Sequence, residues 1–176
     1  DNGTDRPVVS KWRGREVAGA KRNSTDGGTH VPLIVKWNGM IPPNQNCNDL
    51  IDFSDILPTI CESAKIQVPV SLDIDGRSFL PQCKGENGQA REWTYNWFSR
   101  SGEEEEAKVF ARNQRYKLYA NGDFFDVPTD FLEKSPLNIE ELDTEGKAIY
   151  KMLNGVLKSY ENRRLEDIPL RQIQNE

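Results

Sequence analysis

The spacing of hydrophobic and polar positions changes near residue 88, which divides the chain into two predicted parts. In the first part, residues 31–37 (VPLIVKW) form a nearly continuous apolar run. A run of this kind predicts a strand that is buried on both faces, as in a parallel sheet. Apolar residues then recur at helical spacing over residues 57–64, which predicts a short helix capped by Ser54 or Asp55.

The second part alternates short apolar runs with turn residues, which is typical of an antiparallel sheet. Strands are predicted over residues 93–98, 109–111, 116–119 and 124–127. The dipeptide Asn121-Gly122 between the last two predicts a tight hairpin, because a two-residue turn of the favoured type needs a positive φ at both positions.

A wide apolar stripe predicts an amphipathic helix over residues 144–162, capped by Asp143 or Thr144. Its apolar positions are Ile149, Met152, Leu153, Val156, Leu157 and Tyr160. A helix of this kind suits one face of an antiparallel sheet. We therefore expect two units. Residues 1–88 would hold a loop, a buried strand and a helix of a larger α/β domain, and residues 89–176 an antiparallel sheet packed against the last helix.

Composition narrows the classes of function. The 176 residues carry a net charge of -5, and four Trp, seven Phe and five Tyr can anchor a core. This charge is too small to hold the chain unfolded, and an acidic chain is not typical of nucleic-acid binding. The sequence contains no run of about 18 apolar residues, so no membrane span is expected.

Three cysteines occur, at positions 47, 61 and 83, and none belongs to a C-x-x-C motif. This number and spacing fit neither a closed disulfide framework nor a zinc site. Cys61 lies on the apolar face of the first predicted helix and is expected to be a buried thiol. Cys47 and Cys83 lie in predicted loops, where they either pair or remain free.

The first candidate for chemistry is the start of the polar, aperiodic segment over residues 1–30. Asp1 and Asn2 supply a carboxylate and an amide oxygen, which are ligands suited to Ca²⁺ or Mg²⁺. Both could reach one ion only where the backbone leaves a regular strand, and Gly3 permits such a break. The same D-N-G sequence is also typical of a plain turn.

The second candidate is Lys21, which lies in a basic stretch over residues 6–22. In an acidic chain this local excess of positive charge either binds an anion or is simply solvated. His30 is the only histidine, and no nucleophile lies beside it in the sequence. A supporting role in the core or around a site is therefore expected for His30 rather than catalysis.

Taken in order, these segments resemble the sulfatase family, arylsulfatase A-like. The matching segments are D-N-G at 1–3, G-A-K at 19–21, D-G-G-T-H-V-P-L-I-V-K-W-N-G at 26–39, D-F-S-D-I-L-P-T at 52–59, D-I-D-G-R-S-F-L-P at 73–81, R-Y-K-L at 115–118 and G-D-F-F-D-V at 122–127. They run from residue 1 to the sheet, and the resemblance extends to about residue 160.

The resemblance implies an α/β fold, specifically the C-terminal portion of an alkaline-phosphatase-like fold. It implies hydrolysis of sulfate esters, with sulfated carbohydrates as the expected substrates, by a formylglycine nucleophile and Ca²⁺. Asp1 and Asn2 would be two of the Ca²⁺ ligands, and Lys21 would contact the sulfate. The enzyme is expected to be periplasmic or secreted.

Two departures from the family pattern limit what is carried over. His30 stands where the family has Arg, so no family role is assigned to it. The family's nucleophile lies in C/S-x-P-x-R, and no Cys or Ser of this chain has that context. The chain is therefore expected to be a C-terminal fragment that is inactive alone and has the N-terminal half of the enzyme as its partner. Self-association of the fragment is a further possibility, because unpaired strand edges and apolar faces would be exposed.

Two rival functions stay open. One is a phosphodiesterase or phosphonate hydrolase of the same superfamily, which would share the metal ligands and use a different nucleophile. The other is a non-catalytic module whose basic loop and sheet bind a polyanion.

Overall fold

The protein is described by a computed structural model that covers residues 3–12, 14–101 and 103–161. Asp1 and Asn2 lie outside the described residues. The strands are β1 (Val9–Trp12), β2 (Arg15–Ala18), β3 (Thr94–Phe98), β4 (Lys108–Arg112), β5 (Tyr116–Tyr119) and β6 (Phe124–Asp126). The α-helices are α1 (Asp26–Thr29), α2 (Ile56–Ser63), α3 (Leu80–Cys83) and α4 (Thr144–Tyr160).

The second half of the chain forms a four-stranded antiparallel sheet in the order β3-β4-β5-β6. Neighbours in sequence are neighbours in the sheet, and Ala111 pairs with Leu118, which pairs with Phe124. All four predicted strands are confirmed. The last turn differs from the prediction, because Gly122 has a φ of 95° while Asn121 stays in the ordinary region. The amide of Gly122 donates to the carbonyl of Tyr119 (3.0 Å), so the hairpin has a longer loop closed by glycine.

Helix α4 covers one face of the sheet, as predicted. The side chain of Asp143 accepts a hydrogen bond from the amide of Gly146 (2.7 Å) and so caps the helix. The buried residues of this core are Ala111, Tyr116, Leu118, Phe124, Leu153 and Val156. Tyr160 extends the contact by stacking on Tyr95, with ring centroids 4.3 Å apart.

The helix predicted over residues 57–64 is confirmed as α2, and Asp55 stands at its N-cap position, although the Asp55 side chain makes no capping hydrogen bond to α2. A 3-10 turn over Phe53–Asp55 precedes it, and Asp52 is the residue that forms a capping box with Asp55. Each carboxylate accepts a hydrogen bond near the start of the turn, from Ser54 N to Asp52 (3.0 Å) and from Asp52 N to Asp55 (2.8 Å).

Asp55 is also half of a buried ion pair with Arg91 that fastens α2 to later parts of the chain. The Nε of Arg91 donates to Asp55 Oδ2 (2.7 Å), and its Nη2 donates to the carbonyl of Asp75 (2.8 Å). The amide of Arg77 donates to Asp55 as well (2.7 Å). Burial opposes the ionisation of Asp55, but the hydrogen bonds from Arg91 and from the amides of Arg77 and Asp52, together with the charge of Arg91, outweigh it and lower the pKa of this carboxyl.

The strand predicted over residues 31–37 is not formed. These residues carry no strand pairing, and Ile34 is 89% exposed while Leu33 is 51% exposed. A strand needs a neighbour for its backbone hydrogen bonds, and within the described ranges none runs beside this segment.

The long loop predicted over residues 1–30 holds more structure than expected. Strands β1 and β2 form a hairpin within it, and the short helix α1 follows. The turn passes through Gly14, whose φ of 79° favours glycine. The polar composition of the hairpin hid the pattern, because its described side chains are mostly exposed and none anchors a core.

The cysteines are free thiols in this structure. Cys61 is half-buried rather than buried, and Cys47 is exposed. Among the described helices, none is both long and apolar enough to cross a membrane.

The packing of α4 leads to a prediction about Leu153, which is fully buried. Replacing Leu153 by Ala removes apolar contacts and leaves a cavity, so we expect a loss of about 2–5 kcal/mol in the free energy of unfolding. Urea unfolding followed by circular dichroism measures this loss. The exposed Leu132 gives the control, since Leu132→Ala should change the free energy by less than about 0.5 kcal/mol. Equal effects of the two changes would show that α4 does not form the core.

Candidate functional site

The backbone places Lys21 beside the residues that follow Asn2. The amide of Lys21 donates to the carbonyl of Thr4 (3.0 Å), and the amide of Gly19 donates to the carbonyl of Val8 (2.8 Å). A Cβ added at Gly3 would lie 3.7 Å from the Cα of Lys21. The two candidate segments of the sequence are therefore close in space, at the base of the β1–β2 hairpin.

Residues 19–30 form the site loop, which is held by close backbone packing. A side chain at Gly19 would collide with the carbonyl of Asp5, and one at Gly28 would collide with the carbonyls of Ala20 and Asn23. Neither glycine can carry a Cβ without a shift of the backbone. The amide of Asn23 donates to the carbonyl of Ala20 (2.9 Å), so the site loop turns directly after Lys21.

The site loop rests on the face of the sheet that α4 leaves free. Because successive side chains of a strand point to opposite faces, Leu118 faces α4 while Lys117 and Tyr119 face the loop. Lys117 and Glu133 form an ion pair (3.0 Å) whose side chains are 0% and 2% exposed. Lys117 also donates to the carbonyl of Ser24.

Glu133 contacts the loop directly. Its Oε1 accepts a hydrogen bond from the amide of Asp26 (2.9 Å), and its Oε2 accepts one from the hydroxyl of Tyr119 (2.5 Å). Burial lowers the pKa of Lys117, although the charge of Glu133 counteracts this effect. Burial, assisted by the hydrogen bond to Glu133, raises the pKa of Tyr119.

A second polar contact joins α1 to strand β4. Arg112 donates to the carboxylate of Asp26, and His30 Nδ1 lies 3.3 Å from the other oxygen of that carboxylate. Burial acts to raise the pKa of Asp26, but the hydrogen bond from His30 and the charge of Arg112 outweigh it and hold the pKa at about 2. The hydrogen bond to Asp26 raises the pKa of His30.

A cleft of about 110 Å³ lies between the end of the site loop and strands β3 and β4. Its lining includes the polar side chains of His30, Asp52, Asn96 and Arg112. Thr29 and His30, at the end of the site loop, form one wall of this cleft.

The family is decided by comparison with known proteins. Residues 19–162 match the family model described as N-sulphoglucosamine sulphohydrolase, C-terminal. The match covers most of the chain, including Lys21, the site loop, the sheet and α4. This chain belongs to the sulfatase family.

Curated sulfatases align with parts of the chain. It is 30% identical over 129 residues to an ulvan-active sulfatase of Formosa agariphila, an alignment that covers 72% of this chain and 25% of that protein. It is 36% identical over 67 residues to the steryl-sulfatase of Rattus norvegicus, covering 38% of this chain and 12% of that protein. The sulfatase chain thus spans about a quarter or less of the length of these relatives.

A solved structure also aligns with the sulfatase chain. That structure is of a protein in complex with its substrate, D-glucosamine-2-N,6-O-disulfate. The alignment has a TM-score of 0.49 and 22% identity, and it covers 65% of this chain and 25% of that chain.

The sequence-predicted site residues have different outcomes. Lys21 is half-buried and lies in the site loop, Asp1 and Asn2 fall outside the described residues, and no observation tests the roles of the three. His30 lies beside Asp26 and Arg112 rather than beside a nucleophile. The buried polar residues Lys117 and Glu133 were not predicted, and the one sequence signal for Lys117 is a lysine inside the apolar run YKLY.

The described residues do not by themselves form a metal site. Within the described ranges, no three His, Cys, Asp or Glu side chains group closely enough to hold a metal ion. The carboxylate of Asp1 and the amide oxygen of Asn2 have the right chemistry for Ca²⁺, and Lys21 lies close to Gly3, which follows them. If Asp1 and Asn2 bind Ca²⁺, they supply two of the 6–8 oxygens that this ion takes.

The lowered pKa of Asp26 predicts a loss of stability in acid. Its ordinary value is 3.8, so the stabilisation from ionised Asp26 is complete above that pH and is lost as the pH falls toward 2. The shift corresponds to about 2 kcal/mol. Replacing Asp26 by Asn should remove this part of the pH dependence between pH 4 and 2, as measured by urea unfolding at several pH values.

Glu105, an exposed carboxylate, is the control for this experiment. Glu105→Gln should leave the pH dependence of unfolding close to that of the unchanged protein. If Asp26→Asn also leaves it unchanged, Asp26 is not held ionised by Arg112 and His30.

Proposed function

We propose that this chain is the C-terminal part of a sulfatase that hydrolyses sulfate esters of carbohydrates. The observation that carries the proposal is the family match over residues 19–162, which includes Lys21. One relative supports the substrate class, since it is described as an ulvan-active sulfatase. The position of Lys21 next to the segment after Asn2 agrees with a shared site for sulfate and metal.

In this proposal Lys21 contacts the sulfate. As the S–O bond breaks, negative charge increases on the sulfuryl oxygens and on the leaving oxygen. The ammonium of Lys21 acts on this charge as a point charge with up to three N–H donors. Its backbone is held by Thr4 and by the glycine contacts of the site loop, so the charge needs little reorganisation during the reaction.

Asp1 and Asn2 would contribute two oxygen ligands to a Ca²⁺ ion. When bound, the ion supplies a Lewis acid for the sulfate oxygens and fixes the orientation of the nucleophile. The nucleophile, a formylglycine, would come from the part of the enzyme outside this chain, since no Cys or Ser here has the C/S-x-P-x-R context.

Lys21→Ala tests the proposal in the full-length enzyme. We expect a loss of about 10²-fold or more in kcat, as for a lost transition-state donor. Assays with sulfated sugars measure it, and mass spectrometry of the same sample identifies the formylglycine. Lys11 is an exposed residue on β1 of the same basic stretch, and Lys11→Ala should retain full activity.

Three outcomes would contradict the proposal. Full activity after Lys21→Ala removes Lys21 from the site. Hydrolysis of phosphate diesters or phosphonates with no sulfatase activity identifies the rival hydrolase. If the full-length protein contains no formylglycine and hydrolyses no substrate, the rival function as a polyanion-binding module is favoured.

Removal of the metal tests the role of Asp1. Chelation of Ca²⁺ should abolish sulfatase activity, and added Ca²⁺ should restore it. With Asp1→Asn the ligand set loses a negative charge, so the Ca²⁺ concentration for half-maximal activity should rise about 10–100-fold. The exposed Asp5→Asn is the matched control and should leave that concentration unchanged. Activity that does not respond to chelation would exclude the Ca²⁺ site.

A further inference from the structure

The ammonium of Lys117 is enclosed on all sides by protein groups. Its side chain is 0% exposed, and it donates to the carbonyl of Ser24 and to Glu133 Oε1 (3.0 Å). It also lies 4.0 Å from the ring centroid of Phe110, where a cation interacts favourably with the aromatic face. Lys117 thus binds one backbone carbonyl of the site loop, that of Ser24.

Glu133 completes the arrangement from a third part of the chain. Its two oxygens accept hydrogen bonds from Lys117, from the amide of Asp26 and from the hydroxyl of Tyr119. Its own φ is 52°, a left-handed conformation that costs a non-glycine residue energy. The structure sustains this conformation while the carboxylate is directed at the loop.

The burial of this ion pair is poorly explained by stability alone. Removing two charges from water costs several kcal/mol each, and an apolar pair of similar size is often at least as stable. What an apolar pair could not do is bind a backbone carbonyl and an amide at fixed positions. Lys117 and Glu133 bind these groups at Ser24 and at Asp26, two residues apart in the site loop.

The segment that Lys117 and Glu133 fix, residues 24–26, follows shortly after Lys21 in the chain. Asn23 N bonds to the carbonyl of Ala20 (2.9 Å), and Tyr119 also reaches the hydroxyl of Ser24 (3.1 Å). The site loop is therefore tied to β5 immediately after the turn that carries Lys21.

We propose that Lys117 and Glu133 are positioning residues for sulfate hydrolysis. They hold residues 24–26 on the sheet and thereby fix the backbone of Lys21 relative to the sulfate. This inference rests on the function proposed above for Lys21. It assigns the C-terminal sheet a part in catalysis, because a displacement of about 1 Å at a reacting group can cost about 10²-fold in rate.

A double-mutant cycle in the full-length enzyme tests this inference. Lys117→Met keeps most of the aliphatic side chain but removes the ammonium and both of its hydrogen bonds, and should lower kcat/KM by about 10²-fold. In the Lys21→Ala background the same change should lower kcat/KM by no more than about twofold, because the residue that it positions is already absent. Glu133→Gln keeps the shape more closely and serves as the second variant if Lys117→Met does not fold.

The buried pair of Asp55 and Arg91 provides the matched control. It is equally enclosed but contacts residues 52–54 and 75–77 instead of the site loop. Arg91→Met should lower Tm, and any effect on kcat/KM should be the same with and without Lys21→Ala. Assays are made well below the Tm of each variant, so that loss of folded enzyme does not enter.

The outcomes separate the two proposals. If Lys21→Ala has no effect, the proposed function fails whatever Lys117 does. If Lys21→Ala is strongly impaired and Lys117→Met reduces kcat/KM by the same factor in both backgrounds, Lys117 has only a structural role and the positioning inference is overturned.

Discussion

The buried contact between Lys117 and Glu133 holds the site loop of the first part of the chain on the sheet of the second. Lys117 projects from one face of β5, and its neighbour Leu118 projects from the other into the core under α4. One face of the sheet is thus closed by apolar packing, and the other by hydrogen bonds to Ser24 and Asp26. The apolar face tolerates small adjustments, whereas the polar face accepts one arrangement, because each buried group must find its partner.

Glycine makes that arrangement possible from the side of the loop. Gly19 and Gly28 let two stretches of backbone pass so closely that any side chain would collide with a carbonyl. Gly27 is also closely packed, but against side chains, since a Cβ there would lie 3.2 Å from that of Ala20 and 3.3 Å from the ring of Phe131. Backbone contact on one side and a buried ion pair on the other leave the site loop little freedom. Under the proposed function, in which the loop presents the ammonium of Lys21 to a sulfate, this restriction reduces the entropy that is lost on binding.

The sequence predicted the elements whose pattern is local. The strands β3 to β6 and helix α4 repeat at periods of two and 3.6 residues, and these periods can be read without knowing the neighbours. The site could be predicted only in part, because its contacts join residues that are far apart in sequence. Lys117 is 93 positions from Ser24 and 16 positions from Glu133. A lysine in a strand is normally exposed, and the apolar neighbours of Lys117 in YKLY are too weak a signal to predict its burial.

Two features of burial differ from what the sequence pattern predicts, and they have one explanation. The chain encloses charges at Lys117, Glu133, Asp55 and Arg91, yet it leaves the apolar residues 31–37 and parts of α2 exposed. Hydrophobic burial would favour the opposite arrangement if these residues formed the whole fold. The apolar run has the composition of a central parallel strand, and a strand of that kind is buried only between neighbours on both edges and layers on both faces. This imbalance supports the proposal that the chain is one part of a larger sulfatase, while the pair of Lys117 and Glu133, already satisfied within the chain, holds the site loop in place.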